Sequence, residues 1–382
     1  MWRLSWLAVA AVFLAACGSS SGSSTSTPPT PPPPPPSPPP GVANLYALAP
    51  GGMPVGVAVP AGPAANSMLD SNARRDVVDA HFSQVTAENI MKPSFLRPAP
   101  AEFFFDDADA LVDYAVGTGK TIHGHTLLWH NQLPGWMTGF VGDEMAWTTM
   151  MTEHIDGVAS HFEAGNVVVS WDVVNEASAD NDADGDGLYD LRHTIWHDFV
   201  GADYLELAYL AARAADANAD LYYNDYNIAG VAEKLDAVLD MVQRFRANGV
   251  PIDGIGFQMH VSLVWPDIAQ VQTAFERAAA TGLKIKITEL DVTVNTDGSG
   301  NSLGATELTD ALAQQQEDRV REIVAAYLQA VPAVQRGGIT VWGIADVDSW
   351  RRSQNEHDWP LLFDENFDAK PALQGFADGL SN

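Results

Sequence analysis

From residue 44 onward, the chain alternates two patterns of hydrophobic and polar positions. Short apolar runs rich in β-branched residues are typical of buried parallel strands, and longer stretches with apolar residues every three or four positions are typical of amphipathic helices. The short runs predict eight strands: Val55–Val59, Gln84–Glu88, Thr121–Leu127, Val167–Val174, Leu221–Tyr223, Ile255–Gln258, Lys284–Thr288 and Gly338–Trp342. The longer stretches predict helices at Ala108–Val116, Met150–Phe162, Tyr204–Ala217, Val231–Ala247, Ile268–Ala280 and Ala311–Ala330. This alternation indicates the α/β class, with a single (β/α)8 barrel whose functional residues lie at the carboxyl ends of the strands.

The start of the chain follows neither pattern. A short positive segment precedes an apolar run of about a dozen residues from Leu4 to Ala16, which is too short to span a bilayer. The run ends at Cys17, and the segment Leu14–Cys17 resembles the bacterial lipoprotein signal, in which cleavage precedes a cysteine that then carries a lipid. We therefore predict a signal peptide at residues 1–16 and lipidation at Cys17. An ordinary secretion signal with an incidental cysteine is the alternative.

A tether follows the cysteine. Residues 19–27 are almost wholly Ser, Thr and Gly, and 11 of the 13 residues from Pro28 to Pro40 are proline. Glycine- and serine-rich chain is flexible, whereas the proline segment is a stiff spacer of about 40 Å. We predict a tether at residues 17–43 and one folded domain at residues 44–382. Because no acidic residue follows Cys17, we expect attachment to a bacterial outer membrane, with release to the exterior as the alternative location.

Composition and net charge exclude several classes of partner and of binding site. Hydrophobic residues make up 46% of the sequence and charged residues 18%, as in globular proteins. The 20 basic and 49 acidic residues give a net charge of −29, which excludes nucleic acid as a partner because a polyanion is repelled. A single cysteine excludes an internal disulfide and a cysteine-based metal site. We expect a monomer without a cofactor or a bound metal.

Polar and aromatic residues follow nearly every predicted strand at its carboxyl end. In a parallel barrel these ends meet at one mouth, so the concentration predicts a substrate cleft. Two carboxylates stand out, Glu176 after the fourth strand and Glu289 on the seventh. Each alone is equally well explained as a helix cap or an ion-pair partner. Together they match a retaining glycosidase, which needs two carboxyl groups about 5–5.5 Å apart.

Four segments carry a resemblance to a known family. They are Thr86–Lys92 (Thr-Ala-Glu-Asn-Ile-Met-Lys), His125–His130 (His-Thr-Leu-Leu-Trp-His), Asn175-Glu176 and Thr288–Asp291 (Thr-Glu-Leu-Asp). Their residues and order are similar to those of the family 10 glycoside hydrolases, the endo-β-1,4-xylanases, from about Leu45 to Phe376. The chain departs from the family at Ile90 and Pro93, where an acidic residue and tryptophan are common, and this leaves the outer wall of the cleft unassigned.

The resemblance implies endo-acting, retaining hydrolysis of β-1,4-xylosidic bonds, with Glu176 as acid/base and Glu289 as nucleophile. His260 resembles the histidine that orients the nucleophile, although a histidine satisfied by backbone is the alternative. Asn175 resembles the residue that binds the 2-hydroxyl of the sugar at the cleavage site. The other positions matched to sugar-binding residues are Glu88, Asn89, Lys92, His125, Trp129, Gln132 and Gln258.

Aromatic residues complete the predicted cleft. Trp342 and Trp350 are expected to form a wall over the bound sugars, and barrel core is the alternative for Trp342. In the resembled family, the tryptophan that matches Trp350 closes the space where glucose would carry its hydroxymethyl group. Tyr226 is expected to stack under the leaving-group sugar, with loop packing as an equal alternative.

Two other functions remain open from the sequence. His123 and His125 could form a metal pair, as in barrel amidohydrolases that hydrolyse with a bound metal. Alternatively, the protein could be a surface glycan-binding lipoprotein without turnover. The segment Asp182–Gly187 copies the start of a calcium loop, but its twelfth position is His193 instead of a bidentate Glu. We interpret it as an acidic loop after the fourth strand, with weak or incidental Ca²⁺ binding as the alternative.

Overall fold

The computed structural model describes residues 44–296 and 301–381. The predicted signal peptide, Cys17 and tether lie outside these residues. The described residues contain nine parallel strands: β1 (Val55–Val59), β2 (Gln84–Ala87), β3 (Thr121–Leu128), β4 (Val168–Asn175), β5 (Asp220–Asp225), β6 (Gly254–Phe257), β7 (His260–Ser262), β8 (Lys284–Thr293) and β9 (Arg336–Val341). Each strand from β1 to β5 pairs with the next in sequence, β9 pairs with both β1 and β8, and a β6–β8 pairing closes the ring. The predicted (β/α)8 barrel is confirmed.

Strands β6 and β7 together occupy the sixth of the eight strand positions of this barrel. Between them, Met259 has a left-handed backbone with φ of 61°. Such a conformation is uncommon for a residue with a side chain, and it interrupts the strand. β7 then pairs with the outer half of β8, which continues to Thr293, beyond the predicted end at Thr288. The extension places Glu289 and Asp291 inside a paired strand.

The helices surround the barrel. They are α1 (Leu45–Leu48), α2 (Asn72–His81), α3 (Pro93–Leu96), α4 (Asp106–Thr118), α5 (Gly135–Thr138), α6 (Glu144–Glu163), α7 (Ile195–Val200), α8 (Tyr204–Ala215), α9 (Ala232–Asn248), α10 (Ile268–Ala279), α11 (Asp310–Ala330) and α12 (Pro371–Leu380). The six predicted helices are confirmed within a few residues at most ends. The largest difference is at α6, which begins six residues before the predicted start because Asp143 caps its first turn.

Six of the described helices were not predicted, and α2 and α12 are the longest of them. Half of α2 is charged or amide-bearing, so its apolar stripe is narrow, although Val77 and Val78 are buried. In α12, Gly375 and Gly379 lower the helix propensity. Both glycines face α11: a Cβ at Gly375 would lie 2.1 Å from the backbone oxygen of Glu317. Because glycine has no Cβ, α12 packs against α11 with the two helix backbones in direct contact.

The centre of the barrel contains polar side chains. Lys286 Nζ donates to Gln84 Oε1 at 2.7 Å, and Ser170 Oγ lies 2.7 Å from Nδ1 of His123. Burial lowers the pKa of Lys286 to about 8. Because these groups pair with one another, the polar layer supports the strands below the cleft.

Within the described ranges, none of the helices combines the length and the apolar character that crossing a membrane requires.

The close approach of α12 to α11 gives a stability prediction. Gly375→Ala should lower the free energy of unfolding by about 1–3 kcal/mol, because the added methyl group overlaps a backbone atom of α11. Gly117 in α4 is the matched control, since a Cβ there meets nothing within 4 Å. Gly117→Ala should raise the free energy of unfolding by about 0.5–1 kcal/mol. Denaturant titration of both variants tests this, and effects of the same sign would contradict it.

Candidate active site

A cleft of about 730 Å³ opens at the carboxyl ends of the strands. It is lined by every predicted catalytic and sugar-binding residue except Gln132, namely Glu88, Asn89, Lys92, His125, Trp129, Asn175, Glu176, Tyr226, Gln258, His260, Glu289, Trp342 and Trp350. Gln132 is exposed beside the cleft, and its Nε2 donates to Asn89 Oδ1 at 2.9 Å. It therefore contacts the cleft residue Asn89 without lining the cleft itself.

Glu289 lies on β8 and is 4% exposed. Asn224 Nδ2 donates to its Oε1 at 2.7 Å, and His260 Nε2 lies 3.2 Å from its Oε2. The other ring nitrogen of His260, Nδ1, lies 2.8 Å from Asp291 Oδ2. Burial alone would lower the pKa of His260, but the two carboxylates outweigh it and raise the pKa to about 9. His260 is thus an imidazolium at neutral pH and donates to both carboxylates.

Asp291 has further donors in the loop after β9. Trp350 Nε1 donates to its Oδ2 at 2.9 Å, and Arg351 Nε donates to its Oδ1 at 3.1 Å. Burial opposes ionisation of Asp291, but His260 and Arg351 hold its pKa below the usual range. One ionised side chain thereby fixes the orientation of His260 and of Trp350.

Glu176 follows the end of β4 in a left-handed backbone conformation with φ of 57°. Its N–H donates to the carbonyl oxygen of Asn224 at 2.9 Å, and its own carbonyl oxygen accepts from Arg192 Nε at 3.1 Å. In the side chain, Oε2 accepts from Trp129 Nε1 and Oε1 accepts from Gln258 Nε2, both at 2.9 Å. The neighbouring strand and the following loop therefore hold Glu176 in an otherwise unfavourable conformation.

A chain of side-chain amides connects the two glutamates. Gln258 Nε2, which donates to Glu176, lies 3.3 Å from the side-chain amide of Asn175. Asn224 Nδ2 lies 3.0 Å from that amide and also donates to Glu289. Both carboxylates thus belong to one rigid hydrogen-bonded wall.

One buried cation, Lys92, faces this wall from the segment between β2 and α3. The Nζ of Lys92 donates to Asn89 Oδ1 at 3.3 Å and lies 4.9 Å from the ring of Trp129. Burial lowers the pKa of Lys92, and the charges of Glu289, Glu88 and Glu176 act in the opposite direction. Burial also raises the pKa of Glu88, against the charge of Lys92. Lys92 is therefore close enough to interact with all three glutamates.

The two histidines of β3 both turn toward Asp172. His125 Nδ1 lies 2.8 Å from Asp172 Oδ2, and His123 Nε2 lies 3.1 Å from Asp172 Oδ1. His123 does not line the cleft, because its Nδ1 contacts Ser170 inside the barrel. The two histidines share a side of the strand, as the alternation predicts, but the geometry gives no support to a metal pair facing substrate.

Among the described residues, three groups have ligand atoms close enough together to hold a metal ion. They are His125, Asp172 and Glu289; Asp182, Asp184 and Asp186; and His193, His197 and Asp198. In the first group, His125 contacts Asp172, and Glu289 contacts Asn224 and His260, as described above. In the second, the carboxylate of Asp182 accepts the N–H groups of Gly185 at 2.7 Å and Gly187 at 2.9 Å, as in a plain acidic turn.

Two tryptophans form the wall above the glutamates. Trp342 is 8% exposed, and its ring centroid lies 5.3 Å from that of His125. The ring of Trp350 lies 5.0 Å from that of His260. Trp342 is therefore both core and cleft surface, and Trp350 packs directly over the histidine that contacts Glu289.

Tyr226 lines the cleft after β5. Lys234 Nζ lies 3.5 Å from the centroid of its ring, and its hydroxyl accepts from Arg192 Nη2 at 2.7 Å and donates to Asp180. Lys234 is fully buried and also pairs with Asp225 at 3.0 Å. These contacts fix Tyr226 as a flat surface facing the cleft.

The segment after Glu176, residues 177–191, extends away from the barrel and returns to it at Arg192. We call this segment the excursion. Ser178 and Leu191 form a β-bridge at its base, and the N–H of Arg192 donates to the carbonyl oxygen of Ala177 at 2.7 Å. Arg192 Nη2 also donates to the carbonyl oxygen of Ser178 at 3.1 Å. The excursion is closed at its base, beside the cleft.

Sequence reasoning assigned no role to Asn224, Asp291, Asp172 or Arg192. Asp291 could have been found, because it lies two residues after Glu289 and side chains two apart in a strand share a face. Asn224 stands in the polar run that ends β5. Arg192 lies 16 residues from Glu176, and no local pattern indicates that it returns to the cleft.

The sequence of this chain is similar to those of a known protein family. The model of glycosyl hydrolase family 10 matches residues 44–379. The chain is 46% identical over 343 residues to an endo-1,4-beta-xylanase A of Cellvibrio japonicus, covering 86% of this chain and 55% of that protein. It is 42% identical over 353 residues to endo-beta-1,4-xylanase Xyn10C of the same organism, covering 89% and 58%. The chain thus spans little more than half the length of these relatives.

Solved structures of xylanases are also similar to this chain. Native xylanase10C from Cellvibrio japonicus superposes with a TM-score of 0.85 at 41% identity, covering 89% of this chain and 73% of that chain. A mutant of xylanase10C in complex with xylopentaose matches with the same TM-score and identity, covering 89% and 69%. On the match of the family model to nearly all the described residues, this chain belongs to glycosyl hydrolase family 10.

Proposed function

We propose that the protein hydrolyses internal β-1,4-xylosidic bonds of xylan by double displacement, with Glu176 as acid/base and Glu289 as nucleophile. The observation that carries this proposal is the pair of carboxylates on one wall of the cleft, joined through Gln258, Asn175 and Asn224. The family and the named activities of the relatives support the reaction class.

The surroundings of the two glutamates suit different tasks. Glu289 contacts a cationic donor, His260, and an amide donor, Asn224, which hold its two oxygens in position for attack. Glu176 has two neutral donors, Trp129 and Gln258, and its side chain is 14% exposed. Its partly exposed carboxyl group can therefore be reached by a substrate oxygen or by water.

In the first step, Glu289 attacks the anomeric carbon while Glu176 protonates the departing glycosidic oxygen, which gives a covalent glycosyl-enzyme and a free shortened chain. In the second step, Glu176 takes a proton from water, and the water oxygen displaces Glu289 from the same carbon. Two inversions give net retention of the β configuration. Asn175 is placed to contact the 2-hydroxyl, where binding strengthens at the transition state.

The cleft residues suit an uncharged, flat polysaccharide. Aromatic surfaces at Trp342, Trp350 and Tyr226 can pack against sugar faces, and Glu88, Asn89 and Lys92 can bind hydroxyl groups. The structure of a relative with xylopentaose supports xylo-oligosaccharides as ligands. All these residues come from one chain, so a monomer has a complete site, and double displacement by two carboxylates requires no cofactor.

We further propose that the protein is exported and carries a lipid on Cys17. The basis is the sequence alone: the apolar run, the cysteine that follows it and the proline-rich tether. A lipid on Cys17 would hold the barrel at a bacterial membrane surface at the end of a spacer of about 40 Å.

Replacing each glutamate should separate the two roles. Glu289→Ala should abolish turnover, whereas Glu176→Ala should lower kcat/KM about 10²- to 10⁴-fold for substrates with poor leaving groups and less for good ones. Azide needs no base assistance, so it should partly restore Glu176→Ala and give a β-glycosyl azide. NMR of the initial product should show the β-anomer.

Glu88→Ala is the matched control for this experiment, because Glu88 is a cleft carboxylate outside the proposed chemistry. Azide should leave it unchanged. Initial release of the α-anomer, or rescue of Glu289→Ala in place of Glu176→Ala, would refute the assignment.

Trp350 gives a prediction for substrate choice. Xylose lacks the hydroxymethyl group that glucose carries at C5, so a bulky side chain in that space favours xylan. Trp350→Ala should reduce the preference for aryl xylobioside over aryl cellobioside about ten- to a hundredfold, since one such steric contact is worth about 1–3 kcal/mol. The ratio of the two kcat/KM values is the measurement.

Trp350→Phe is the matched control, because Trp350 also donates to Asp291. Phenylalanine keeps an aromatic ring but removes the donor, so kcat should fall on both substrates while their ratio stays within a few-fold of the wild-type value. An unchanged ratio in Trp350→Ala would remove the steric role.

Anchoring is tested by Cys17→Ala, which should move the protein from the membrane fraction to the soluble fraction because the thiol that would carry the lipid is gone. Ser19→Ala, two residues away, is the control and should remain with the membrane. Fractionation followed by immunoblotting measures both, and a membrane-bound Cys17→Ala protein would exclude the lipid anchor.

A further inference from the structure

A second group of chemically active side chains lies outside the cleft, at the start of α7. His193 and His197 are four residues apart, and Thr194 between them caps the helix, accepting the N–H of His197 at 3.2 Å. Their ring centroids are 4.6 Å apart. Nδ1 of His193 lies 2.7 Å from Asp198 Oδ1, and Nδ1 of His197 lies 3.1 Å from the same oxygen. Three donors from six consecutive residues therefore converge on one point.

This donor set matches the preference of borderline transition-metal ions. Two imidazole nitrogens with one carboxylate oxygen is a common protein set for Zn²⁺, with the fourth position left for water. Calcium and magnesium prefer sets made of oxygen alone, as in the acidic turn at Asp182. We propose that His193, His197 and Asp198 bind a divalent transition-metal ion of the Zn²⁺ class.

The spacing of the donors fits such an ion with little rearrangement. Zn–N and Zn–O bonds of about 2.0–2.2 Å at tetrahedral angles place two ligand atoms of one ion about 3.3 Å apart. The present distances of 2.7 and 3.1 Å to Asp198 Oδ1 need to lengthen by about 0.6 and 0.2 Å. The side chain of His193 is 79% exposed, so it is free to make this shift.

The surrounding charge also favours a cation. An open cavity beside the two histidines is lined by the carboxylates of Asp180, Asp184 and Asp190. Arg192 lies there too, but its charge is directed at Tyr226 and Asp180. With a net charge of −29 on the whole chain, the field at this surface concentrates cations.

A bound ion would connect two elements that adjoin the cleft. His193 directly follows Arg192, which holds the backbone of Glu176, and His197 is on α7. On the same helix, Trp196 Nε1 donates to the carbonyl oxygen of Trp129 at 2.8 Å. The ion would thus fasten the end of the excursion to α7. This inference does not depend on the proposed function.

Calorimetric titration of the full chain with Zn²⁺ at neutral pH tests the site. The wild type should bind one ion with high affinity, and His193→Ala or His197→Ala should weaken that binding at least about 100-fold, because each removes a ligand. His161→Ala is the matched control: His161 is a half-exposed histidine 2.7 Å from Asp109. It should bind as the wild type does.

Paramagnetic resonance with Cu²⁺ as the probe gives a second readout. The spectrum should show coupling to two imidazole nitrogens in the wild type and to one in either single variant. His193 is exposed, so unfolding without metal should be unchanged in His193→Ala. Absence of Zn²⁺ binding in the wild type, or equal affinity in the wild type and both variants, would overturn the proposal.

Discussion

The carboxylate of Asp291 is the acceptor on which much of the cleft depends. It is 1% exposed, and a buried charge is stable only when donors satisfy its oxygens. Its three donors come from β7 and from the loop after β9: His260, Trp350 and Arg351. His260, which contacts Glu289, and Trp350 of the aromatic wall are therefore oriented by the same carboxylate. A change in the position of one of them affects the other through Asp291.

Cationic side chains lie among the cleft glutamates although the chain as a whole is strongly acidic. Lys92 and the imidazolium of His260 face the glutamates at short range. An uncharged polysaccharide gains nothing from a long-range field, so the acidic outer surface is free to serve solubility. Short-range pairing with Asp291 and Glu289 outweighs burial and raises the pKa of His260.

The sequence was sufficient to predict the barrel and most of the cleft, because strands in a parallel sheet carry continuous apolar runs and their ends carry the polar residues. It was insufficient where a contact is made by residues far apart in the chain. The support of Glu176 by Arg192 and of Glu289 by Asn224 depends on how loops and neighbouring strands meet. Helix α12 was missed for a related reason: its glycines lower its local propensity, and packing against α11 compensates for them.

The closed base of the excursion after Glu176 separates the tip of that segment from the strand that carries the glutamate. The bridge between Ser178 and Leu191 and the contacts of Arg192 with Ala177 and Ser178 fix both ends of the segment. Residues can therefore be inserted, deleted or exchanged between 182 and 188 without displacing Glu176. This makes the segment a natural point for evolution, or for an engineer, to graft new binding surface beside the cleft.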